Sequence, residues 1–271
     1  MTTPFEPEWL QPRSLEEALE LRTERGDEAT VVAGGTFVAI LMNQGLLAPA
    51  ALLSLGQVPG LGAIEADGDL RLGALVTHRA VELSPVVRSH WPALARCFSL
   101  VASARVRNQA TVGGVLADAD YASDPPALLA ALGAVAVARS RRGERRIPVD
   151  ELIVGHYETT LEPDELIIEV RVPGGEHRAA YRKFRSRSHE DRPCVSVAVC
   201  RRGDDLRVVV GAVAERPQLF KELCNPAEDP AEVGRAYAEA IEPISDARGS
   251  PAYRKRVIAV EVRRALEEVA A

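Results

Sequence analysis

Two pairs of adjacent glycines mark the places in this sequence where bare backbone could do chemistry. The first pair lies in Val32-Ala33-Gly34-Gly35-Thr36, and the second in Thr111-Val112-Gly113-Gly114. Glycine has no Cβ, so its amide can approach an anion closely, and it tolerates the positive φ that an anion-binding turn requires. Taken together, the two segments predict backbone contacts to both halves of a pyrophosphate. Either pair alone is more typical of a tight turn between packed strands.

Neither segment matches a common nucleotide-binding motif. The glycines lack the Gly-x-Gly-x-x-Gly spacing, and no Gly-Lys-Ser/Thr follows them, so a Rossmann domain or a P-loop is disfavoured. Three aspartates follow the second pair, but Ser123 and Leu129 stand where a calcium-binding loop needs glycine and glutamate. Asp124, which precedes Pro125-Pro126, is predicted either to accept hydrogen bonds from ligand hydroxyls or to cap a helix.

Composition excludes several classes of function. The chain has 271 residues, a net charge of −6 and 4% aromatic residues, which argues against binding nucleic acid. No apolar window is long enough to span a membrane, and the first residues lack the basic and apolar parts of a signal peptide, so a cytoplasmic protein is expected. The four cysteines form no Cys-x-x-Cys pair, so buried thiols are expected rather than an iron–sulfur cluster or zinc.

The elements that must position these residues mix strands and helices without regular βαβ units, which predicts the α+β class. Strands are expected at 30–33, 51–55, 70–75, 134–139 and 166–173, and a hairpin at 195–210. Helices are expected from the capping box at Ser14, over 37–47, twice within 77–102, from Pro125, and over 230–241 and 252–270. The turn at 173–177 is the predicted domain break.

Four segments in order resemble the FAD-binding medium subunit of the molybdenum hydroxylases, the family that includes carbon monoxide and xanthine dehydrogenases. Val31–Val38 and Val106–Gly114 resemble its two pyrophosphate loops, the second with an Arg-Asn pair before the glycines. Ala122-Ser-Asp124 resembles the segment that holds the ribityl chain. Tyr181–Phe184, followed by Asp191, resembles the start of the family's C-terminal domain, where a lysine reaches the flavin. The resemblance covers nearly the whole chain.

The resemblance implies an FAD-binding PCMH-type domain of two lobes over residues 1–174. A smaller domain over 175–271 would contain a three-stranded antiparallel sheet and helices. The implied function is electron transfer: hydroxylation occurs at a molybdopterin on a separate large chain, and electrons cross [2Fe-2S] clusters on a separate small chain to FAD. An external acceptor such as NAD, a quinone or oxygen then receives them, and the implied assembly is a dimer of heterotrimers.

The resemblance also implies the cofactor-binding residues. Those around Ala33–Thr36 would bind one side of the pyrophosphate, and those from Thr111 to Gly114 the other. Asp124 would accept from ribityl hydroxyls, backbone at Ile167 or Ile168 would lie near the isoalloxazine, and Lys183 would lie at its polar edge. The expected set is Val32, Ala33, Gly34, Gly35, Thr36, Phe37, Val38, Val101, Thr111, Gly113, Gly114, Val115, Asp124, Ile167, Ile168 and Lys183.

Two residues depart from the family pattern. Phe37 and Val115 stand where the family often has a polar residue, so two side-chain hydrogen bonds, each worth about 1 kcal/mol, are expected to be missing. Weaker flavin retention is therefore predicted. The alternatives are a flavin-deficient subunit of the same fold that only bridges partners, or a stand-alone flavin reductase of the kind that reduces enolpyruvyl sugars.

Overall fold

The computed structural model describes residues 6–188 and 190–270, and the first five residues of the N-terminal segment discussed above lie outside this range. The chain forms a first lobe over residues 8–54, a second lobe over residues 64–172 and a C-terminal region over residues 178–270. Strands and helices are mixed without regular βαβ alternation, so the α+β prediction is confirmed.

The first lobe is a three-stranded parallel sheet with a helix packed against it. The helix begins as predicted, because the Ser14 hydroxyl accepts a hydrogen bond from the Glu17 amide at 3.1 Å. It ends at Gly26, whose φ of +49° suits glycine. The elements are β1 (Glu8–Leu10), α1 (Leu15–Arg25), β2 (Ala29–Val32), α2 (Val38–Asn43) and β3 (Ala51–Ser54), with β3 in the centre of the sheet.

The second lobe is a five-stranded antiparallel sheet, in the order β4-β5-β10-β6-β7, together with short helices. Pro85 and Pro92 each occupy the first turn of a helix, and they divide the segment 77–102 into three helices instead of the two predicted. The elements are β4 (Ile64–Asp67), β5 (Asp69–Gly73), α3 (His78–Leu83), α4 (Pro85–His90), α5 (Pro92–Ser99), α6 (Ala104–Arg107), α7 (Val112–Ala117), α8 (Pro125–Ala131), β6 (Val135–Ser140), β7 (Gly143–Pro148), α9 (Val149–Leu152), β8 (Ile153–Gly155), β9 (Glu158–Thr159) and β10 (Leu166–Val172).

The C-terminal region has a sheet of four antiparallel strands, not the three expected. The predicted hairpin forms its centre, and the additional strand has only two residues, which pair with Val209 and Val210. Two residues are too few to show the alternation that marks a strand in a sequence. The elements are β11 (Arg178–Phe184), β12 (Val195–Arg202), β13 (Asp205–Gly211), β14 (Gln218–Leu219), α10 (Pro230–Ala240) and α11 (Pro251–Ala270).

Two apolar clusters stabilise these parts of the chain, and the first includes residues of both the second lobe and the C-terminal sheet, among them Tyr181, Ala198 and Val209. In the second lobe, Leu72 and Val170 of the sheet pack with helical residues such as Phe98 and Leu128. In the second cluster, buried valines of β12 and β13 such as Val197 and Val208 pack with residues of α10 and α11. Three of the four cysteines are buried free thiols, as predicted, and Cys224 is half-buried.

The end of helix α2 differs from the prediction, and the lengths of the helices bear on the expected absence of a membrane span. Helix α2 ends at Asn43, earlier than expected, because the chain turns at Gly45 with a φ of +68°. Within residues 6–188 and 190–270, no helix is both long and apolar enough to cross a membrane.

Candidate flavin site

A cavity of about 890 Å³ lies where the two lobes and the C-terminal region meet, and both glycine segments line it. Most of the predicted cofactor-binding residues therefore share one space. Val32 and Ile168 do not line it: Val32 is a buried strand residue, and the backbone of Ile168 is paired with Ala74. The predicted residues that do line the cavity are Ala33, Gly34, Gly35, Thr36, Phe37, Val38, Val101, Thr111, Gly113, Gly114, Val115, Asp124, Ile167 and Lys183.

The first glycine segment joins the two lobes. A Cβ added to Gly34 would lie 1.8 Å from the carbonyl oxygen of Gln109 in the second lobe, so only glycine permits this approach. Gly35 has a φ of +68°, which favours glycine for conformational reasons. In the described residues, the amides of Gly35, Thr36 and Phe37 donate to no acceptor. This segment therefore has backbone donors available at the cavity.

The second glycine segment is the first turn of a helix and not the loop we expected. The Thr111 hydroxyl caps α7 by accepting a hydrogen bond from the Gly114 amide at 3.1 Å. The Gly113 amide donates to the Ala74 carbonyl at 2.9 Å, and a Cβ on Gly113 would lie 2.7 Å from the Cβ of Ala74. Unlike those of the first pair, the amides of Gly113 and Gly114 therefore have acceptors within the chain, and the predicted backbone contacts of this segment to a pyrophosphate stay a prediction. Its glycines permit close packing on the end of β5.

Asp124 takes part in a buried ion pair at the cavity wall. Its Oδ2 accepts from the Lys183 ammonium at 2.8 Å, and its Oδ1 accepts from the Tyr181 hydroxyl at 2.5 Å. Lys183 also donates to the Leu100 carbonyl at 2.9 Å. Both side chains of the pair are almost inaccessible, with exposures of 1% and 5%. Burial raises the pKa of Asp124, whereas the Lys183 charge opposes that rise.

This arrangement excludes one of the two predicted roles of Asp124. The residue precedes α8, but its side chain makes no capping hydrogen bond, so the helix-cap alternative is wrong. Both carboxylate oxygens already accept from Tyr181 and Lys183. An ammonium has three N–H groups, and two of those of Lys183 donate to acceptors in the described residues, which leaves one further donor on a residue that lines the cavity.

A second charged group of the cavity was not predicted as part of the site. Arg192, from the segment before β12, forms a salt bridge with the buried carboxylate of Asp120 at 2.6 Å. Burial raises the pKa of neighbouring Asp118 to about 7, Asp120 adds to that rise, and Arg192 opposes it. All three residues line the cavity. The closeness of Asp118 and Asp120 to the second glycine segment was a usable signal, but nothing local marks Arg192.

His78 is another wall residue that sequence reasoning missed. Its Nε2 lies 3.2 Å from the Thr111 carbonyl, which can only accept, so Nε2 carries the proton. Burial lowers the pKa of His78 to about 4, so the ring is neutral near pH 7. His78 therefore holds the backbone of the second glycine segment without adding charge to the cavity.

Phe37 stacks on Tyr157, a residue of the β8–β9 turn that was also missed. The ring centroids are 5.5 Å apart and the planes differ by 21°. Tyr157 has a φ of +58°, and its amide donates to the carbonyl of Ala119, which has a φ of +46°. Ala102, at +39°, also lies at the cavity. Of the four described non-glycine residues with positive φ, three therefore lie at or beside this cavity, as is common at functional sites.

Two family models match successive parts of the chain. The FAD binding domain in molybdopterin dehydrogenase matches residues 3–175. The CO dehydrogenase flavoprotein C-terminal domain matches residues 179–269.

Characterised relatives are similar over most of their length. The chain is 34% identical over 269 residues to the 6-hydroxypseudooxynicotine dehydrogenase complex subunit alpha of Paenarthrobacter nicotinovorans, covering 93% of this chain and 90% of that protein. It is 30% identical to the carbon monoxide dehydrogenase medium chain of Hydrogenophaga pseudoflava, covering 96% and 95%.

Solved structures agree with these similarities. The structure of the carbon monoxide dehydrogenase from Hydrogenophaga pseudoflava that lacks the Mo-pyranopterin moiety superposes with a TM-score of 0.92 at 29% identity, covering 99% of both chains. The quinoline 2-oxidoreductase of Pseudomonas putida 86 superposes with a TM-score of 0.89 at 29% identity, covering 100% of this chain and 98% of the other. The chain therefore belongs to the family of FAD-binding medium subunits of the molybdenum hydroxylases, an oxidoreductase family, and its cofactor is FAD.

Proposed function

We propose that this chain is the electron-transfer subunit of a molybdenum hydroxylase complex. It would receive electrons from [2Fe-2S] clusters on a separate small chain, after hydroxylation at a molybdopterin on a separate large chain. It would pass them to an external acceptor such as NAD, a quinone or oxygen. The observation that carries the proposal is the single cavity that both glycine segments line. FAD, when bound, supplies the redox centre, and the chain supplies binding, orientation and electrostatics.

The residues around this cavity suit a dinucleotide in different ways. The amides of Gly35, Thr36 and Phe37, which have no acceptor in the described part of the chain, are the donors we assign to the pyrophosphate. We assign to Thr111, Gly113 and Gly114 another part of the wall, which the cap and the first turn of α7 form. The apolar residues Val101, Val115 and Ile167 would exclude water from the site.

We assign to Lys183 the remaining polar contact, through the donor that its two hydrogen bonds leave over. Asp124 would then act on Lys183, which it holds at the wall, more than on the cofactor's hydroxyls. A positive charge beside a bound flavin favours its reduced, anionic form, so this ion pair would influence the flavin's potential.

We also propose that the chain is organised as an FAD-binding domain over residues 1–174 and a C-terminal domain over 175–271. The family matches, which end at residue 175 and resume at residue 179, support this division. So do the ends of the neighbouring strands, at Val172 and Arg178.

The test is purification of the full chain, expressed together with the genes that adjoin its own, with flavin, molybdenum and iron quantified in the purified material. The proposal expects the chain to be isolated with a large and a small partner, a flavin absorbance band, and both metals in fixed ratio to the flavin.

Other outcomes would contradict it in distinct ways. Partners and metals without flavin would favour the bridging subunit, for which the departures at Phe37 and Val115 are the motivation. Flavin without partners or metals would favour the stand-alone reductase.

A further inference from the structure

The stacked pair of Phe37 and Tyr157 has a geometry that the departure from the family pattern does not explain. Phe37 directly follows the glycine segment of the first lobe, and Tyr157 lies in the β8–β9 turn of the second lobe. The pair therefore bridges the two lobes across the cavity that both residues line. Loss of a polar side chain at position 37 does not by itself account for the stacking of Phe37 on a second aromatic ring.

The backbone of Tyr157 adopts an unfavourable conformation, which places its ring at the cavity. Its φ of +58° is unfavourable for a side chain with a Cβ, yet the ring is not buried in a core, since 51% of the residue is exposed. The Tyr157 amide donates a hydrogen bond to the carbonyl of Ala119, which precedes Asp120 and is also in the left-handed region. Core packing does not account for this conformation.

Each ring of a stacked pair leaves one face uncovered by the other. Aromatic faces bind the planar rings of a ligand in offset stacks, and such contacts do not depend on hydrogen-bond donors. Phe37 would therefore replace a hydrogen bond to the cofactor with a stacking contact, and Tyr157 would hold that ring in place.

Resting on FAD as the cofactor, we propose that Phe37 and Tyr157 form an aromatic subsite that stacks on a planar ring system of the bound dinucleotide. FAD carries two such systems, the isoalloxazine and the adenine, and both offer the same stacking chemistry. The pair thus compensates for part of the hydrogen bonding that the side chain of Phe37 cannot provide.

The experiment measures binding to the flavin-free full chain by titration with FAD, FMN and ADP. The variants are Phe37→Leu and Tyr157→Leu, which remove a ring but keep an apolar side chain, and Tyr157→Phe, which keeps the ring. Trp9→Leu is the matched control, because Trp9 is 52% exposed and lies outside the cavity. Thermal melting of each variant confirms that it is folded.

The proposal expects each leucine variant to bind FAD about threefold to tenfold more weakly, with Tyr157→Phe and Trp9→Leu within about twofold of the parent chain. A matching loss for FMN alone identifies the isoalloxazine, and a loss for ADP alone identifies the adenine.

Other results overturn the proposal. If folded Phe37→Leu and Tyr157→Leu variants bind FAD as tightly as the parent chain, the pair is not a cofactor subsite, although the chain remains a flavoprotein. If the leucine variants lose stability but retain FAD affinity, the pair only joins the lobes. Failure of the parent chain to bind FAD would instead contradict the cofactor assignment itself.

Discussion

The two glycine segments are alike in sequence and different in structure. In the first, the amides of Gly35 to Phe37 have no acceptor in the described residues, and Gly34 is a glycine because the Gln109 carbonyl lies against it. In the second, the amides of Gly113 and Gly114 are paired within the chain, and the glycines permit contact between α7 and Ala74. The comparison shows that one Gly-Gly pair at the cavity leaves backbone donors without an acceptor in the described residues, whereas the other provides space for close packing within the chain.

The largest effect is expected for Gly34→Ala. The new Cβ would lie 1.8 Å and 2.6 Å from the carbonyl oxygen and carbon of Gln109, and neither backbone atom can rotate away. We expect the unfolding free energy to fall by at least about 3 kcal/mol and FAD to be lost, because the lobes must separate. Thermal unfolding and flavin content measure this. The control is Gly62→Ala, whose Cβ would meet nothing within 4 Å; equal melting of both variants would contradict the close approach.

A smaller effect, on stability alone, is expected for Gly113→Ala. Its Cβ would lie 2.7 Å from the Ala74 Cβ, so the end of β5 must shift, at about 1–3 kcal/mol of unfolding free energy. The Gly113 amide already donates to Ala74, so the affinity of the folded variant for FAD should change by less than about twofold. Denaturant unfolding and FAD titration separate the two effects. A large loss of FAD affinity without a loss of stability would instead favour direct backbone contacts of the second segment to the pyrophosphate.

For Gly35→Ala we expect a larger effect on FAD affinity than on stability. The nearest atom to its Cβ would be a Val32 methyl at 3.7 Å, so sterics are satisfied, but the φ of +68° costs alanine about 1 kcal/mol. Relaxation of this strain would turn the amides of Thr36 and Phe37, and we expect about a tenfold loss of FAD affinity, measured by the same titration. An unchanged affinity would show that these amides are not cofactor donors.

The smallest effect is expected from the two threonines. Thr111→Ala removes the cap of α7, and we expect a loss of about 1 kcal/mol, or about 2–3 °C in melting temperature, which Thr111→Ser should largely restore. Thr36→Ala should leave the melting temperature unchanged, because the Thr36 hydroxyl has no hydrogen bond in the described part of the chain. Differential scanning calorimetry measures both. Equal shifts for the two variants would remove the distinction between the segments.

The sequence predicted much of the fold because its signals are local. The capping box at Ser14, the prolines that begin α4, α5 and α8, and the β12–β13 hairpin all act within a few residues. Helix α7 was missed although Thr111 is a preferred capping residue and Val112, Val115 and Leu116 follow at helical spacing. Its glycines suggested a turn, but contact with Ala74 overrides their low helical propensity.

The residues that line the cavity were predictable where their amino-acid type is informative, as in the glycine segments and Lys183. They were not predictable where a residue acts through a distant partner. Tyr157 lies in a short turn, and Arg192 follows a polar segment. Only the fold brings Tyr157 to Phe37 and Arg192 to Asp120. The partners of Asp124 were not predictable for the same reason, since its oxygens accept from residues nearly sixty positions later.

The pairing of Asp124 with Tyr181 and Lys183 has a consequence for the synthesis of the protein. Asp124 belongs to the part of the chain matched by the FAD binding domain, whereas Tyr181 and Lys183 belong to the part that follows it. While only the first of these parts has been synthesised, the Asp124 carboxylate has no counter-ion, and burying it without one is strongly unfavourable. Because Lys183 and Arg192 also line the cavity, its walls become complete only after β11 and the segment that follows it have been synthesised, and the part matched by the FAD binding domain does not form them alone.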